Sequence, residues 1–386
     1  MDRTATARRA GLFHPWPTGN SAARSLLLVT GVMVAFGTLM VASASEGQSA
    51  LSGGSPWTIS IHDLAYVAIG IVALVAGARV SLDVVVRLAP TIMAVTLVLL
   101  AAVKVAGVSA NGGKRWLNLH VLYLQPSEIF KLATILFMAW LISSRPETMA
   151  LPGLLARRMV SVLIGIGLIV WEPDLGTASV VVAIAMVLLA VAGLAWRHLA
   201  RVAGLGVTAF LLLILIKPYA FQRMFSFLHS NQNLQGAGYQ LLQSKIGLGA
   251  GGLTGLGFGN SREKWGLLPN PHTDFIFAIL GEELGLIGTL LVIGLFVWFL
   301  VSAMRIAQRA STPAYHLIAV GITVWIVLEA VINIASVVGL WAVTGVPLPF
   351  FSYGGTALIT ELAAVGLLYN IGHDNGRWMP DDFARA

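Results

Sequence analysis

The chain has 386 residues, 57% of them hydrophobic and only 11% charged, with a mean hydropathy of +0.83. Soluble domains carry about 25% charged residues, so a soluble globular class is excluded and the composition is that of an integral membrane protein. The absence of cysteine excludes disulfides and thiolate metal sites. The net charge of +7 suits basic inner loops, and no basic run is interleaved with stacking aromatics, which sets nucleic acid aside as a partner.

A spanning helix needs about 20 apolar residues. Ten segments qualify, at 25–44, 64–81, 88–107, 125–143, 159–171, 177–196, 199–216, 275–303, 316–338 and 354–372. They predict an all-α, polytopic membrane protein of about ten transmembrane helices, with a long external loop at about 217–273 between spans seven and eight. The fifth segment is short and ends at Glu172-Pro173, as a tilted or broken helix would. Arg3, Arg8, Arg9 and Arg24 ahead of the first span argue for a cytoplasmic N-terminus. Alternation then puts fifteen of the 24 Lys and Arg residues inside and seven outside, with Lys104 and Lys131 within spans. The organisation expected is a cytoplasmic segment at 1–24, a transmembrane domain at 25–372 and a polar, mobile cytoplasmic tail at 373–386. Val41-Ala-Ser-Ala44 has the small-residue pattern of a signal-peptidase site, against which stands its long upstream region. No internal repeat is visible, so the inverted-repeat mark of many transporters is absent.

The seven outer bases are Lys114, Arg115, Lys217, Arg223, Lys245, Arg262 and Lys264. They are either solvated loop charges or a site for an anionic group, since guanidinium forks and ammonium groups both suit phosphate. Lys114 and Arg115 sit in a glycine-tight loop beside Trp116, itself an interface anchor or a site residue. Gln125-Pro-Ser-Glu128 then opens a helix that carries Glu128 and Lys131 on one face, three residues apart. That pair is either structural or the wall of a polar cavity. In Glu172-Pro-Asp-Leu-Gly-Thr177, Asp174 either caps the next helix or acts directly. The glycine strings 247–252 and 255–259 fit close backbone approach, a phosphate cradle or a flexible gate. Short amphipathic helices packed on the bundle are expected in this region. A polar, basic, proline-broken stretch from Asn260 carries Arg262 and Lys264 and ends in His272-Thr-Asp274, directly before a long apolar helix. It places one carboxylate at the membrane–water boundary, where an acid beside bases is a site candidate. The segment Val343 to Thr356, with two prolines and a glycine pair, reads as an ordered loop dipping back into the protein.

Together these segments resemble the SEDS family (shape, elongation, division and sporulation), polytopic glycosyltransferases that polymerise peptidoglycan precursors. The resemblance spans Ser43-Ala-Ser45 to Tyr353-Gly-Gly355 and rests on Arg115-Trp116, Gln125-Pro-Ser-Glu128, Pro173-Asp-Leu-Gly-Thr177, His272-Thr-Asp-Phe-Ile-Phe277 and Ser352-Tyr-Gly-Gly355, in family order. Gly259-Asn-Ser-Arg-Glu-Lys264 looks like the division branch rather than the elongation branch. Departures are Glu329 where the family commonly has Gln, Ala342 where it has Pro, and Thr356 where the division branch more often has Ser.

The resemblance implies transfer of a growing glycan from undecaprenyl pyrophosphate to lipid II at the outer leaflet of a bacterial plasma membrane. It makes Asp274 the catalytic residue and links Glu128, Lys131 and Asp174 to a central cavity. Arg115 and Lys131, with Lys114, Arg262, Lys264 or a divalent cation (Mg or Mn), are the candidates for holding pyrophosphate. Trp116 and His272 complete the candidate substrate contacts, His272 by tuning Asp274 or by capping a helix. The implied partners are lipid II, the lipid-linked glycan, a class B penicillin-binding protein and other division or elongation proteins. Against this enzyme stand two other classes, a lipid II flippase running along the intramembrane acids and a scaffold that needs no Asp274.

Overall fold

The computed structural model describes residues 21–51, 53, 55, 57–110, 113–118, 123–145, 152–216 and 236–374. Arg3, Arg8, Arg9, Lys217, Arg223, Arg377 and Arg385 lie outside the described residues, as does most of the expected tail. Twelve helices are described: α1 (Ser21–Leu51), α2 (Thr58–Arg79), α3 (Leu82–Ala106), α4 (Pro126–Ser144), α5 (Pro152–Arg158), α6 (Val160–Trp171), α7 (Leu175–Val191), α8 (Trp196–Ile216), α9 (Ala237–Gly251), α10 (Ile276–Ala307), α11 (Pro313–Val338) and α12 (Thr356–Ile371). Each of the ten expected spans coincides with one of them, and α5 and α9 are additional. Six (α1 to α4, α10 and α11) are long and apolar enough to cross a membrane, and α6, α7 and α12 are shorter apolar helices. The protein is an integral membrane protein.

Burial sorts the helices. The apolar stretches of α4 and α11 are 72% and 67% buried, against 22% for α2 and 28% for α3, so α4 and α11 form the interior and α2 and α3 the outer wall. Trp325, Phe130 and Phe299 fill that interior. With no water-driven force between helices in lipid, small residues must let backbones approach. At the α2–α12 crossing a Cβ on Gly366 would lie 2.2 Å from Leu74 O, so only glycine fits there. The helix ends collect on two faces. On one, Asn370 Nδ2 donates to Val80 O at 2.6 Å and Tyr315 Oη to Asp83 Oδ1 at 2.6 Å. The other carries every connection that holds a candidate site residue.

Two features of that second face differ from the expected loops. Strands β1 (Gly107–Ala110), β2 (Gly113–Asn118) and β3 (Tyr123–Leu124) form an antiparallel sheet. Val108 pairs with Trp116 and Ser109 with Lys114, so Arg115 is the extra residue of a β-bulge. Bulges re-aim side chains. The peptidase-like motif at 41–44 falls inside α1, two turns before its end, with Val41, Ser43 and Ala44 buried. Cleavage there would cut a packed helix, and tolerance of cutting follows from burial and hydrogen bonding, not position.

The described residues of the long region before α10 hold the helix α9, where short amphipathic helices were expected, and a glycine loop with a specific purpose. α10 is broken at Gly285, whose φ of 65° and ψ of −163° no side chain adopts easily. In an unbroken helix Leu286 and Ile287 N–H would bond Glu282 and Glu283 O. Instead Leu286 N donates to Gly252 O at 2.9 Å and Ile287 N to Leu253 O at 3.2 Å, while Glu282 O and Glu283 O accept from Leu256 N at 2.9 Å and Gly257 N at 3.0 Å. All four groups freed by the break are satisfied by the loop, as burial in an apolar surround demands. The glycines are needed because a Cβ on Gly255 would lie 2.1 Å from Glu283 O, and one on Gly285 2.4 Å from Gly255 N. The string is thus a backbone plug for α10, and the amides of Leu256 and Gly257 are taken. Gly285→Ala should cost about 1–3 kcal/mol in backbone strain alone and lower the thermal midpoint in detergent, whereas Gly294→Ala, with open space around it, should leave it unchanged; equal midpoints for both would contradict this packing.

Candidate functional site

Asp274 lies in the turn that leads into α10, half-exposed. Three successive carbonyls hold this turn, each through a different donor. Tyr353 N–H donates to His272 O at 2.9 Å, Ser352 Oγ to Thr273 O at 2.7 Å and Asn333 Nδ2 to Asp274 O at 2.9 Å. Asn333 also donates to Val346 O at 2.8 Å, and Ser352 Oγ accepts from Leu348 N at 2.8 Å. The turn therefore docks on α11 and on the loop 343–355, which does dip into the protein, with Phe350 and Phe351 buried. Phe350 is held at a left-handed φ of 64° while its N–H donates to Glu361 Oε2 on α12 at 3.0 Å.

His272 is buried, its ring 5.7 Å from Tyr353 and its Nδ1 without a hydrogen-bond partner. Burial pushes its pKa down to about 4, so it is uncharged at neutral pH. It does not cap α10, which starts behind Phe275 without a side-chain cap.

Arg115 and Asp174 meet at the neighbouring turn. The bulge turns the Arg115 guanidinium onto the α6–α7 connection, where Nε donates to Glu172 O at 3.2 Å and Nη2 to Pro173 O at 2.5 Å. Two of its five N–H donors are used so, leaving three. Asp174 is the N-cap of α7, accepting from Thr177 N at 3.1 Å, which is its capping alternative. A Cβ on Gly176 would lie 2.9 Å from Thr344 O, so this turn abuts the 343–355 loop and, through Val346 and Asn333, the Asp274 turn. Lys114 is exposed and Trp116 half-buried in the same sheet.

Lys131 is not presented at this surface. Its ammonium is fully buried between Glu128 Oε2 at 2.7 Å and Glu329 Oε1, and lies 5.1 Å from the Trp325 ring centre. Trp325 Nε1 donates to the other oxygen of Glu329 at 2.7 Å. Removing one partner of such a cluster leaves an uncompensated buried charge, worth about 3–5 kcal/mol. The Glu found where the resemblance leads one to expect Gln thus supplies a second counter-ion to Lys131. Thr356 keeps the role a Ser could fill, its Oγ1 donating to Tyr123 O at 2.8 Å and accepting from Gln125 N at 3.1 Å.

Lys264 is also enclosed. Its Nζ donates to Gly259 O at 2.7 Å and to Glu46 Oε2 at 3.0 Å, with Glu283 Oε1 at 3.8 Å. Ser43 Oγ donates to the same Glu283 oxygen at 2.6 Å. Glu282 accepts from Arg262 N at 2.9 Å, Glu263 N at 3.3 Å and Ser261 Oγ. The pair Glu282 and Glu283 therefore ties the loop before Asp274 to α10 and to the end of α1. Arg262 is exposed. Of the bases considered for an anionic ligand, Lys131 and Lys264 are locked in buried ion pairs, and Lys114, Arg115 and Arg262 reach the surface. Among the described residues, no three His, Asp or Glu side chains gather closely enough to hold a metal ion.

Three residues of this site were not singled out from the sequence: Asn333, Ser352 as a side-chain donor, and Glu172. A lone Asn in an apolar helix is a signal in itself, since it must find hydrogen-bond partners inside the bundle. Asn111-Gly112 between two extended runs is likewise a hairpin signal.

The fold and this polar face define a polytopic helical membrane protein whose Asp274 turn is clamped by α11 and the 343–355 loop. Residues 23–376 match the family model FTSW_RODA_SPOVE, described as "Cell cycle protein", and the chain belongs to that family. It is 36% identical over 353 residues to the probable peptidoglycan glycosyltransferase FtsW of Trichlorobacter lovleyi, covering 90% of this chain and 92% of the relative. It is also 36% identical over 353 residues to the stage V sporulation protein E of Bacillus subtilis, covering 90% and 95%. Among solved structures, a chain of a peptidoglycan synthase complex that coordinates polymerization and crosslinking superposes with a TM-score of 0.74 at 28% identity, over 90% of this chain and 97% of that one. The rod shape determining protein RodA of Thermus thermophilus superposes with a TM-score of 0.67 at 28% identity, over 92% and 97%.

Glu172 gives a pH test of the geometry. Its side chain is fully buried with neither carboxyl oxygen hydrogen-bonded. Burial first, and Asp174 second, push its pKa up from 4.5 to about 8, while Lys104 and Arg115 pull it down. The folded protein keeps this proton until about pH 8, whereas the unfolded chain releases it near 4.5. The associated stability is present at low pH and lost as pH rises through that window. Glu172→Gln should therefore melt higher than the wild type at pH 8 and equal to it near pH 5; an identical pH dependence of the two melting temperatures would contradict this burial.

Proposed function

We propose that this chain polymerises lipid II into glycan strands at the outer leaflet, with Asp274 as the general base. Within its family the chain is a peptidoglycan glycosyltransferase. The observation that carries the assignment to Asp274 is the clamped turn. It holds one half-exposed carboxylate on the face that also bears Arg115, Lys114 and Arg262. On this reading that face points outward, both termini are cytoplasmic, and the site meets head groups whose lipid tails never leave the bilayer.

The donor sugar is α-linked to pyrophosphate and the product is β-linked, so a single inverting displacement suffices. Asp274 takes the proton of the acceptor GlcNAc 4-hydroxyl, the oxygen bonds to the donor C1, and the C1–O bond to pyrophosphate breaks. The electron pair leaves with undecaprenyl pyrophosphate, so no second carboxylate is needed to protonate the leaving group, and the two-carboxylate scheme of glycoside hydrolysis does not transfer. A positioned base contributes roughly 10²–10⁴-fold. The charge that develops on the diphosphate is met by Arg115, whose remaining donors form the planar fork that matches phosphate oxygens. Lys114 and Arg262 add positive charge nearby. Among the described residues no three His, Asp or Glu side chains gather to hold a metal ion by themselves, and an ion of the magnesium type needs only one or two carboxylates besides the substrate phosphates. Lys131 and Lys264 act instead inside the protein, as the centres of the ion clusters that hold α4 to α11 and the 259–264 loop to α1.

Likeness to a chain of a polymerization and crosslinking complex supports a class B transpeptidase as partner. The naming of relatives as FtsW supports a place at the division septum. Purified Asp274→Asn protein should insert and purify normally yet make no glycan from lipid II, with Arg115→Ala slower by roughly 10²-fold. Polymer from Asp274→Asn at near wild-type rate would refute the base. Lipid scrambling without polymer in the same proteoliposomes would favour a flippase.

A further inference from the structure

We infer that Asn333, assisted by Ser352, is the positioning residue that sets where the Asp274 carboxylate sits. This rests on Asp274 being the base, and the experiment below separates the two. Asn333 lies on α11, an interior helix, and is 2% exposed. Its one amide group spans two chain segments, donating to Asp274 O at 2.9 Å and to Val346 O at 2.8 Å. Both donors are therefore spent on holding the catalytic turn against the 343–355 loop. Its Oδ1 is buried and has no hydrogen-bond partner. A buried acceptor left unpaired is unfavourable, so the side chain is held for its donors and not because the amide as a whole is satisfied.

Geometry makes this contact different from an ordinary packing bond. Asn333 grips the carbonyl of Asp274 itself, one peptide unit before Phe275, whose side chain is buried. Ser352 Oγ grips the preceding carbonyl, and Tyr353 N the one before that. Tyr353 N is main chain and survives any substitution, but the Asn333 and Ser352 donors are side-chain groups and can be removed singly. With both in place the turn cannot slide along α11 or lift from the loop. A displacement of about 1 Å costs a reaction roughly 10²-fold even when the chemistry is intact. Asn333 donates to two main-chain carbonyls, so its loss should appear in turnover and not in binding.

The test is steady-state polymerisation of lipid II by purified full-length protein, with kcat and KM measured separately for Asn333→Ala, Asn333→Asp and Ser352→Ala. Asn333→Ala should lower kcat by 10- to 100-fold, in line with that displacement, and leave KM within about threefold. Asn333→Asp should be worse, because it sets a carboxylate against two carbonyl oxygens. Ser352→Ala should show the same signature more weakly, and it decides the matter if the Asn333 variants are not recovered folded. Unchanged kcat in Asn333→Ala, or in Ser352→Ala where that variant decides, overturns the inference, as does a raised KM at constant kcat. If Asp274→Asn still polymerises, the choice of base is at fault. If Asp274→Asn is inactive while Asn333→Ala turns over normally, the positioning role is at fault.

Discussion

Hydrogen bonds to three consecutive carbonyls, those of His272, Thr273 and Asp274, are the constraint on which the functional face depends. Turns at a membrane boundary have no helix or sheet ladder to hold them, and their carbonyls would otherwise face water or lipid head groups. Here each carbonyl is assigned to a different donor from α11 or the 343–355 loop. These bonds fix the backbone from which the Asp274 side chain projects. The same loop reaches down to Glu361 through Phe350 and across to the Arg115 turn through Thr344 and Gly176. Asp274 and Arg115, the proposed base and cation, thus belong to one connected piece of structure.

Beneath that face, charge is used as internal fastening. Ionisable groups inside a bilayer are expensive unless paired. Lys131 is enclosed by Glu128 and Glu329, and Lys264 by Glu46, Glu283 and Gly259 O. Each cluster links helices distant in sequence, α4 to α11 in the first case and α1 to α10 in the second. Breaking α10 at Gly285 serves the same end. The glycine loop replaces two missing helical bonds and so anchors the start of the 252–274 region to the helix that follows it. Glu128, Glu282, Glu283 and Glu329 all take part in these fastenings.

Much of the fold was legible because its signals are local. Each apolar run of about 20 residues became a helix, and the order of polar motifs pointed to the family. Asp174 and Asp274 stood out because each precedes a helix. The features not legible in the sequence are non-local. Arg115 is recognisable as a base, but only the register of β1 against β2 makes it a bulge residue aimed at Pro173. Lys131 and Lys264 looked like ligands for pyrophosphate because nothing near them in sequence reveals Glu329 or Glu46 as counter-ions. The glycine strings left cradle, gate and close approach equally open until their partner, the broken turn of α10, was in view. Asn333 was the one missed residue with a usable local signal, a single amide in an apolar helix.

The most direct measurement uses the absence of native cysteine. A thiol placed by Asp274→Cys is the only one in the protein and can be tested with a membrane-impermeant maleimide on intact spheroplasts. Rapid labelling from outside is expected, blocked by prior treatment with a second impermeant thiol reagent. Labelling only after the membrane is permeabilised would put residue 274 on the cytoplasmic side and contradict a polymerase acting at the outer leaflet.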